Sequence, residues 1–172
     1  LMTGNELFDV LQKFCNIFDR YLLISDLPEN LHIHNELFHF SYRDSFSSLI
    51  PSCNNEEMPD LSQFNAKPLK EALMLSLSNS DGCFVCFSGN TMIVGKFMEG
   101  YFLFDSHSRS LSGTSTPSGK STCRIVANVT DVYLHIMNLA KSMKFQDSVE
   151  CEVTGVLCLS LIHISEPTRL GM

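Results

Sequence analysis

Apolar positions along this chain switch between two spacings, and the switches mark out its elements. Thr3 followed by Glu6 has the form of a capping box, and Leu7, Val10, Leu11, Phe14 and Phe18 then make one apolar helical stripe. Tyr21 to Ile24 is a short β-like run, and Phe38, Phe40 and Tyr42 alternate in a strand expected over His34 to Tyr42. Asp44 to Ala66 is rich in Ser, Pro and Asn and reads as a long surface loop. Pro68 then opens a second helix that buries Leu69, Ala72, Leu73, Leu75 and Leu77. Strands follow in close order at Cys83–Ser88, Thr91–Phe97 and Tyr101–Asp105, with Gly89-Asn90 and Glu99-Gly100 between them as the turns of a meander. After a Ser/Thr/Gly loop over Ser108 to Lys120, Ser121 to Asn128 reads as a fourth strand of this group. Thr130 caps a third helix carrying Val132, Ile136, Leu139, Ala140 and Met143. The order is that of an α+β domain, with no internal repeat and no second domain marked by a linker.

Composition narrows the classes. The 172 residues are 44% hydrophobic and 18% charged, a globular balance with material for one ordinary core. A net charge of -7 without a basic cluster gives no electrostatic footprint for nucleic acid. No apolar run reaches membrane-spanning length, so no membrane partner is expected. Seven cysteines, an odd number at irregular spacing, point to reduced thiols and an intracellular protein, cytoplasmic or nuclear. Nor does the start of the chain have the form of a signal peptide.

Several motifs fail on their own chemistry. Gly113 to Thr122 nearly spells a phosphate-binding loop. It has one residue too many between Gly113 and Gly119, Pro117 removes an amide, and a strand pattern follows where a helix N-terminus is required. Cys83 and Cys86 have the spacing of a metal knuckle, but on a strand they face opposite sides and cannot converge on one ion. His32 and His34 share a face without an acid or cysteine to join them. Asn128-Val129-Thr130 is a glycosylation sequon only in a secreted protein. No cofactor or metal is expected.

Asp105 and His107 survive this screening. They close the apolar, aromatic run Gly100-Tyr101-Phe102-Leu103-Phe104, and residues two apart on a strand start on one side of it. A carboxylate there is placed to orient an imidazole for proton transfer. Together, Gly82 to Lys96 and Gly100 to Ser110 resemble the cysteine proteases of the herpesvirus large-tegument-protein type, papain-like deubiquitinases with relatives in animal genomes and mobile elements. The resemblance covers about Lys67 to Met143 and rests on Asp-x-His after an aromatic strand and on the order of elements around it. It implies a papain-like α+β fold, a central antiparallel sheet flanked by helices. It also implies ubiquitin or a ubiquitin-like protein as partner, and isopeptide hydrolysis by a Cys-His-Asp set. His107 would be the general base and Asp105 its orienting acid, with Ser106 facing away.

The nucleophile that the resemblance implies belongs at a helix N-terminus, where the dipole lowers a thiol's pKa. Cys15 falls late in the first helix, Cys53 in the surface loop, Cys83 and Cys86 on a core strand, Cys123 on a later strand, and Cys151 and Cys158 beyond the last helix. The catalytic cysteine is therefore expected upstream of Leu1, which leaves residues 1–158 as a partial, inert protease domain. Leu159 to Arg169 reads as a translated transposase-type sequencing adapter, so Leu159 to Met172, His163 included, are set aside. Two other readings stand beside this one: a non-catalytic interaction module on the same scaffold, and an unrelated hydrolase using Cys15.

Overall fold

A computed structural model describes residues 24, 27–33, 36–51 and 66–160. Its elements run β1 (Asn30–Ile33), β2 (Glu36–Ile50), α1 (Leu69–Ser78), β3 (Gly82–Phe87), β4 (Asn90–Phe97), β5 (Gly100–Arg109), β6 (Lys120–Val126), α2 (Val129–Ser142) and β7 (Val149–Ser160). Strand neighbours follow the order β1-β2-β7-β3-β4-β5-β6. Chain contacts gather the protein into two units, Leu1–Tyr42 with Leu157–Met172, and Arg43–Val156. In the first unit β1 lies antiparallel to the start of β2, with Asn30 opposite His39 and its Oδ1 3.0 Å from His39 Nδ1.

The second unit holds the meander. β3, β4 and β5 pair antiparallel through two-residue turns, Ser88-Gly89 and Met98-Glu99, each one residue earlier than the sequence suggests. Gly89 at φ 71° and Ser88 at φ 47° both take the left-handed conformation that a tight hairpin needs. Across this sheet Val85, Met92, Val94 and Leu103 share one face, and α1 and α2 cover it with Leu69, Ala72, Leu73, Leu77, Val132, Ile136, Leu139 and Ala140. The helical stripes expected after Pro68 and before Met143 are these positions except Leu75 and Met143, which are only half-buried. The other face stays partly open, with Phe104 43% and Ile125 68% exposed.

Three expectations need correction. The Ser-rich segment after Asp44 continues β2 as far as Ile50. One of its hydroxyls is held there by the neighbouring strand: Ser45 Oγ donates to Glu152 at 2.6 Å and accepts from Thr154 Oγ1 at 3.0 Å. A strand's identity depends more on its neighbours than on its residue types. Second, β7 is a strand where none was expected, although Val149, Cys151 and Val153 alternate with Glu150 and Glu152; it pairs antiparallel with β3. Third, α2 begins at Val129 and its cap is Asn128, whose Oδ1 accepts from the Asp131 amide at 3.0 Å; Thr130 is not the cap. The first helix, Tyr21 to Leu23, His34 and residues 161–172 lie outside the described residues, and so do Cys15 and Cys53. No described helix is long and apolar enough to cross a membrane.

Candidate active site

The site forms where β5 leaves regular pairing. Asp105 still sits in register, opposite Met92 on β4 and Thr122 on β6. The next pair is Arg109 with Lys120, so four steps along β5 match two along β6. Such a bulge re-aims side chains at the rim of a sheet. Here it brings the His107 amide and ring back onto one carboxylate oxygen. The His107 N–H donates to Asp105 Oδ1 at 2.9 Å, and His107 Nδ1 lies 2.7 Å from the same atom. A carboxylate has no hydrogen to give, so Nδ1 carries the proton and Nε2 is left as the acceptor. The Asp105 side chain is 4% exposed, while that of His107 is 36% exposed, which leaves the ring accessible from solvent. Ser106, between them, is exposed.

The second carboxylate oxygen is taken by Arg109, a residue the sequence reading missed. Its Nε donates to Asp105 Oδ2 at 2.6 Å, and its side chain is 3% exposed. Its Nη2 donates to Asn90 Oδ1 at 2.8 Å, and Asn90 Nδ2 donates in turn to the carbonyl of Ser88 at 2.8 Å. A signal for Arg109 was present: positions 105, 107 and 109 alternate along one strand. No local signal existed for Asn90, which reaches the site only through the pairing of β4 with β5.

Burial would raise the Asp105 pKa. The His107 amide, the Arg109 guanidinium and the His107 ring outweigh it, and the carboxyl is held below its ordinary 3.8. Behind the loop that follows Arg109 lies His135 of α2. Its ring packs against Gly113, whose φ of 83° puts the absent Cβ only 2.2 Å from His135 Cε1, so a side chain there meets both strain and a ring. Arg124 Nη1 donates to the Ser112 carbonyl at 2.5 Å and approaches His135 Nδ1 at 3.4 Å. Burial first, then Arg124, lowers the His135 pKa below its ordinary 6.5. The Asp105 charge opposes this and Arg109 adds to it.

Both shifts act on stability with one sign. The unfolded chain binds the proton before the folded one in each case, so stability present at neutral pH is lost on acidification. The His135 contribution fades as pH falls from 6.5 through its folded value, and that of Asp105 as pH falls from 3.8 through its own. The urea midpoint is expected to decline already below pH 6.5, and His135→Gln to flatten that upper limb. An unchanged upper limb in His135→Gln would remove His135 from this account.

Compared with known families, residues 1–156 match the model of the herpesvirus tegument protein N-terminal conserved region. The chain belongs to this family. Its fold is similar to that of the ubiquitin-specific protease encoded by murine cytomegalovirus tegument protein M48, solved in complex with a ubiquitin-based suicide substrate. The TM-score is 0.65 at 14% identity, over 96% of this chain and 64% of that one. The tegument-family chain thus spans under two thirds of the length of the protease it matches. No curated protein sequence matches it. The expected α+β architecture, an antiparallel sheet flanked by helices, is the one observed, and the likeness to the viral protease is a likeness of fold.

In the tegument-family chain, the five described cysteines form no disulfide. Cys83 and Cys151 are buried, and burial pushes each thiol up to about 12. Cys86 lies on the sheet face away from the helices, its thiol also raised by burial and 3.4 Å from Thr91 Oγ1. Cys123 sits opposite Phe104, so it faces away from Asp105. Cys158 falls near the end of β7 and is exposed. Among the described residues, no three His, Cys, Asp or Glu side chains gather into a metal site. The glycine-rich segment 113–119 connects β5 to β6, and β6 follows it where a phosphate loop would need a helix.

Proposed function

We propose that this chain carries the acid–base half of a ubiquitin-directed cysteine protease, with His107 as general base and Asp105 as the acid that orients it. The observation that carries the reading is the 2.7 Å contact of Asp105 Oδ1 with His107 Nδ1, which leaves Nε2 of a partly exposed ring as a proton acceptor. In the reaction, Nε2 takes the proton of a cysteine thiol, and Asp105 stabilises the imidazolium that forms. The thiolate adds to the isopeptide carbonyl, Nε2–H returns the proton to the departing lysine amine, and a thioester remains. Water then gives its proton to Nε2 and attacks the thioester, which frees the carboxylate and the thiol. Family membership and the fold of a viral ubiquitin-specific protease support ubiquitin, or a ubiquitin-like protein, as the partner.

The cysteine itself is proposed to lie outside the described residues, upstream of Leu1, so the 172-residue chain alone is inert. Residues 159–172 remain proposed as adapter-derived, which the family match ending at residue 156 supports, although Leu159 and Ser160 still belong to β7. An intracellular, reducing location suits the described thiols, none of them in a disulfide. A non-catalytic binding module is favoured by one observation, the open sheet face bearing Phe104 and Ile125.

Ubiquitin carrying a C-terminal electrophile separates the two. The 172-residue chain is expected to form no adduct, and a product of the same gene extended upstream is expected to form one on a newly included cysteine. An extended product with a cysteine at a strand-to-helix junction that still fails to react would overturn the protease reading and leave the module.

A further inference from the structure

We infer that Arg109 and Asn90 are positioning residues that set the tautomer of His107, which makes the β3–β4 turn a working part of the site. This rests on the proposed acid–base role of His107. The chain of contacts is continuous, and its central members Asn90, Arg109 and Asp105 are buried. Asn90 closes the Ser88-Gly89 turn, donating from Nδ2 to the carbonyls of Ser88 at 2.8 Å and Phe87 at 3.5 Å. These bonds fix which end of the amide is oxygen, and Oδ1 is thereby presented to Arg109 Nη2 at 2.8 Å. The guanidinium is planar, so anchoring Nη2 fixes the direction of Nε–H, which donates to Asp105 Oδ2 at 2.6 Å. Nη1 adds a longer contact to the Ser108 carbonyl at 3.4 Å, on the strand of the site itself.

With Oδ2 pinned, the carboxylate plane has one remaining direction for Oδ1, toward the His107 amide and Nδ1. An imidazole on a bulge has no other described partner to choose its tautomer. The proton stays on Nδ1 because an oriented, charged oxygen faces that nitrogen. Arg109 also neutralises the buried carboxylate from the side away from the ring, so Asp105 remains an acceptor before any thiolate–imidazolium pair forms. The structure thus assigns the turn, the amide and the guanidinium to a single task, holding Nε2 free.

The test reads the imidazole directly and needs no turnover. Nitrogen-15 histidine spectra of the 172-residue chain, with His107 assigned from His107→Gln, give the tautomer above the ring's titration. The parent chain is expected to show the Nδ1–H form alone. Asn90→Ala removes both the amide donors and the acceptor, while Asn90→Asp removes the donors and keeps an acceptor for Arg109. Asn90→Ala is expected to drift toward the mixed tautomers of free imidazole, and Asn90→Asp to hold the parent form. Arg109→Lys keeps the charge but cannot bridge both partners, and should drift as Asn90→Ala does. Ile136→Val, a core change outside this chain of hydrogen bonds, should leave the tautomer alone. Identical spectra for Asn90→Ala and the parent, or drift in Ile136→Val as well, would overturn the assignment. Failure of ubiquitin labelling would strike the proposed protease and not this result.

Discussion

Arg109→Ala is expected to lower the free energy of unfolding by about 3 kcal/mol, the low end of what breaking a buried ion pair costs. The two side chains of the pair are 3% and 4% exposed, so the carboxylate left behind cannot be rehydrated from bulk water. The low end applies because the His107 amide and ring still bind Oδ1. The loss should shrink below the ordinary carboxylate range, since protonation removes the stranded charge. Replacing both partners, as in Asp105→Leu with Arg109→Met, should cost less than Arg109→Ala alone, because no buried charge then lacks a partner. Urea unfolding of the three variants at pH 7 and pH 3 measures this. Equal losses for Arg109→Ala at the two pH values would show that packing, and not charge, sets its effect.

The second large effect is on turnover. In an extended, ubiquitin-cleaving form of the protein, Asp105→Asn is expected to reduce kcat about 10⁴-fold, the scale seen when a triad acid is replaced by its amide. The geometry says why. Asn presents either an oxygen without charge or an NH₂ to Nδ1, and the latter forces the proton onto Nε2, which can then no longer accept one from a thiol. Arg109 would meanwhile hold the amide oxygen, which turns the NH₂ toward His107 and makes the wrong tautomer the favoured one. KM should move far less, because the Asp105 side chain is 4% exposed and presents little surface to a substrate. Hydrolysis of a fluorogenic ubiquitin C-terminal amide reports both constants. A loss confined to KM would place Asp105 in binding and not in proton transfer.

Much of this site was legible in order along the chain. A buried aromatic strand had to end somewhere, and the acid and the ring at its end had to start on one side of it. The same alternation held Arg109, whose role becomes visible only once Asp105 is seen to have a second oxygen inside the protein. Asn90 was legible as a turn residue and not as a partner of Arg109. The two are nineteen positions apart and meet because β4 and β5 align Met92 with Asp105. The cap at Asn128 was displaced by two residues because Thr130 and Asn128 are both good caps, and the choice between them belongs to where the strand before them stops.

The sequence alone determined the meander, the two amphipathic helices over it, and the placing of Asp105 and His107 together at the end of one strand, because each follows from side-chain spacing within a few residues. Tertiary structure decided that β7 enters the sheet between β2 and β3, that β2 runs on through a serine-rich segment, and that a bulge turns His107 back onto Asp105. Those outcomes depend on which distant backbone supplies the hydrogen bonds and in what register. A local pattern carries no record of that choice.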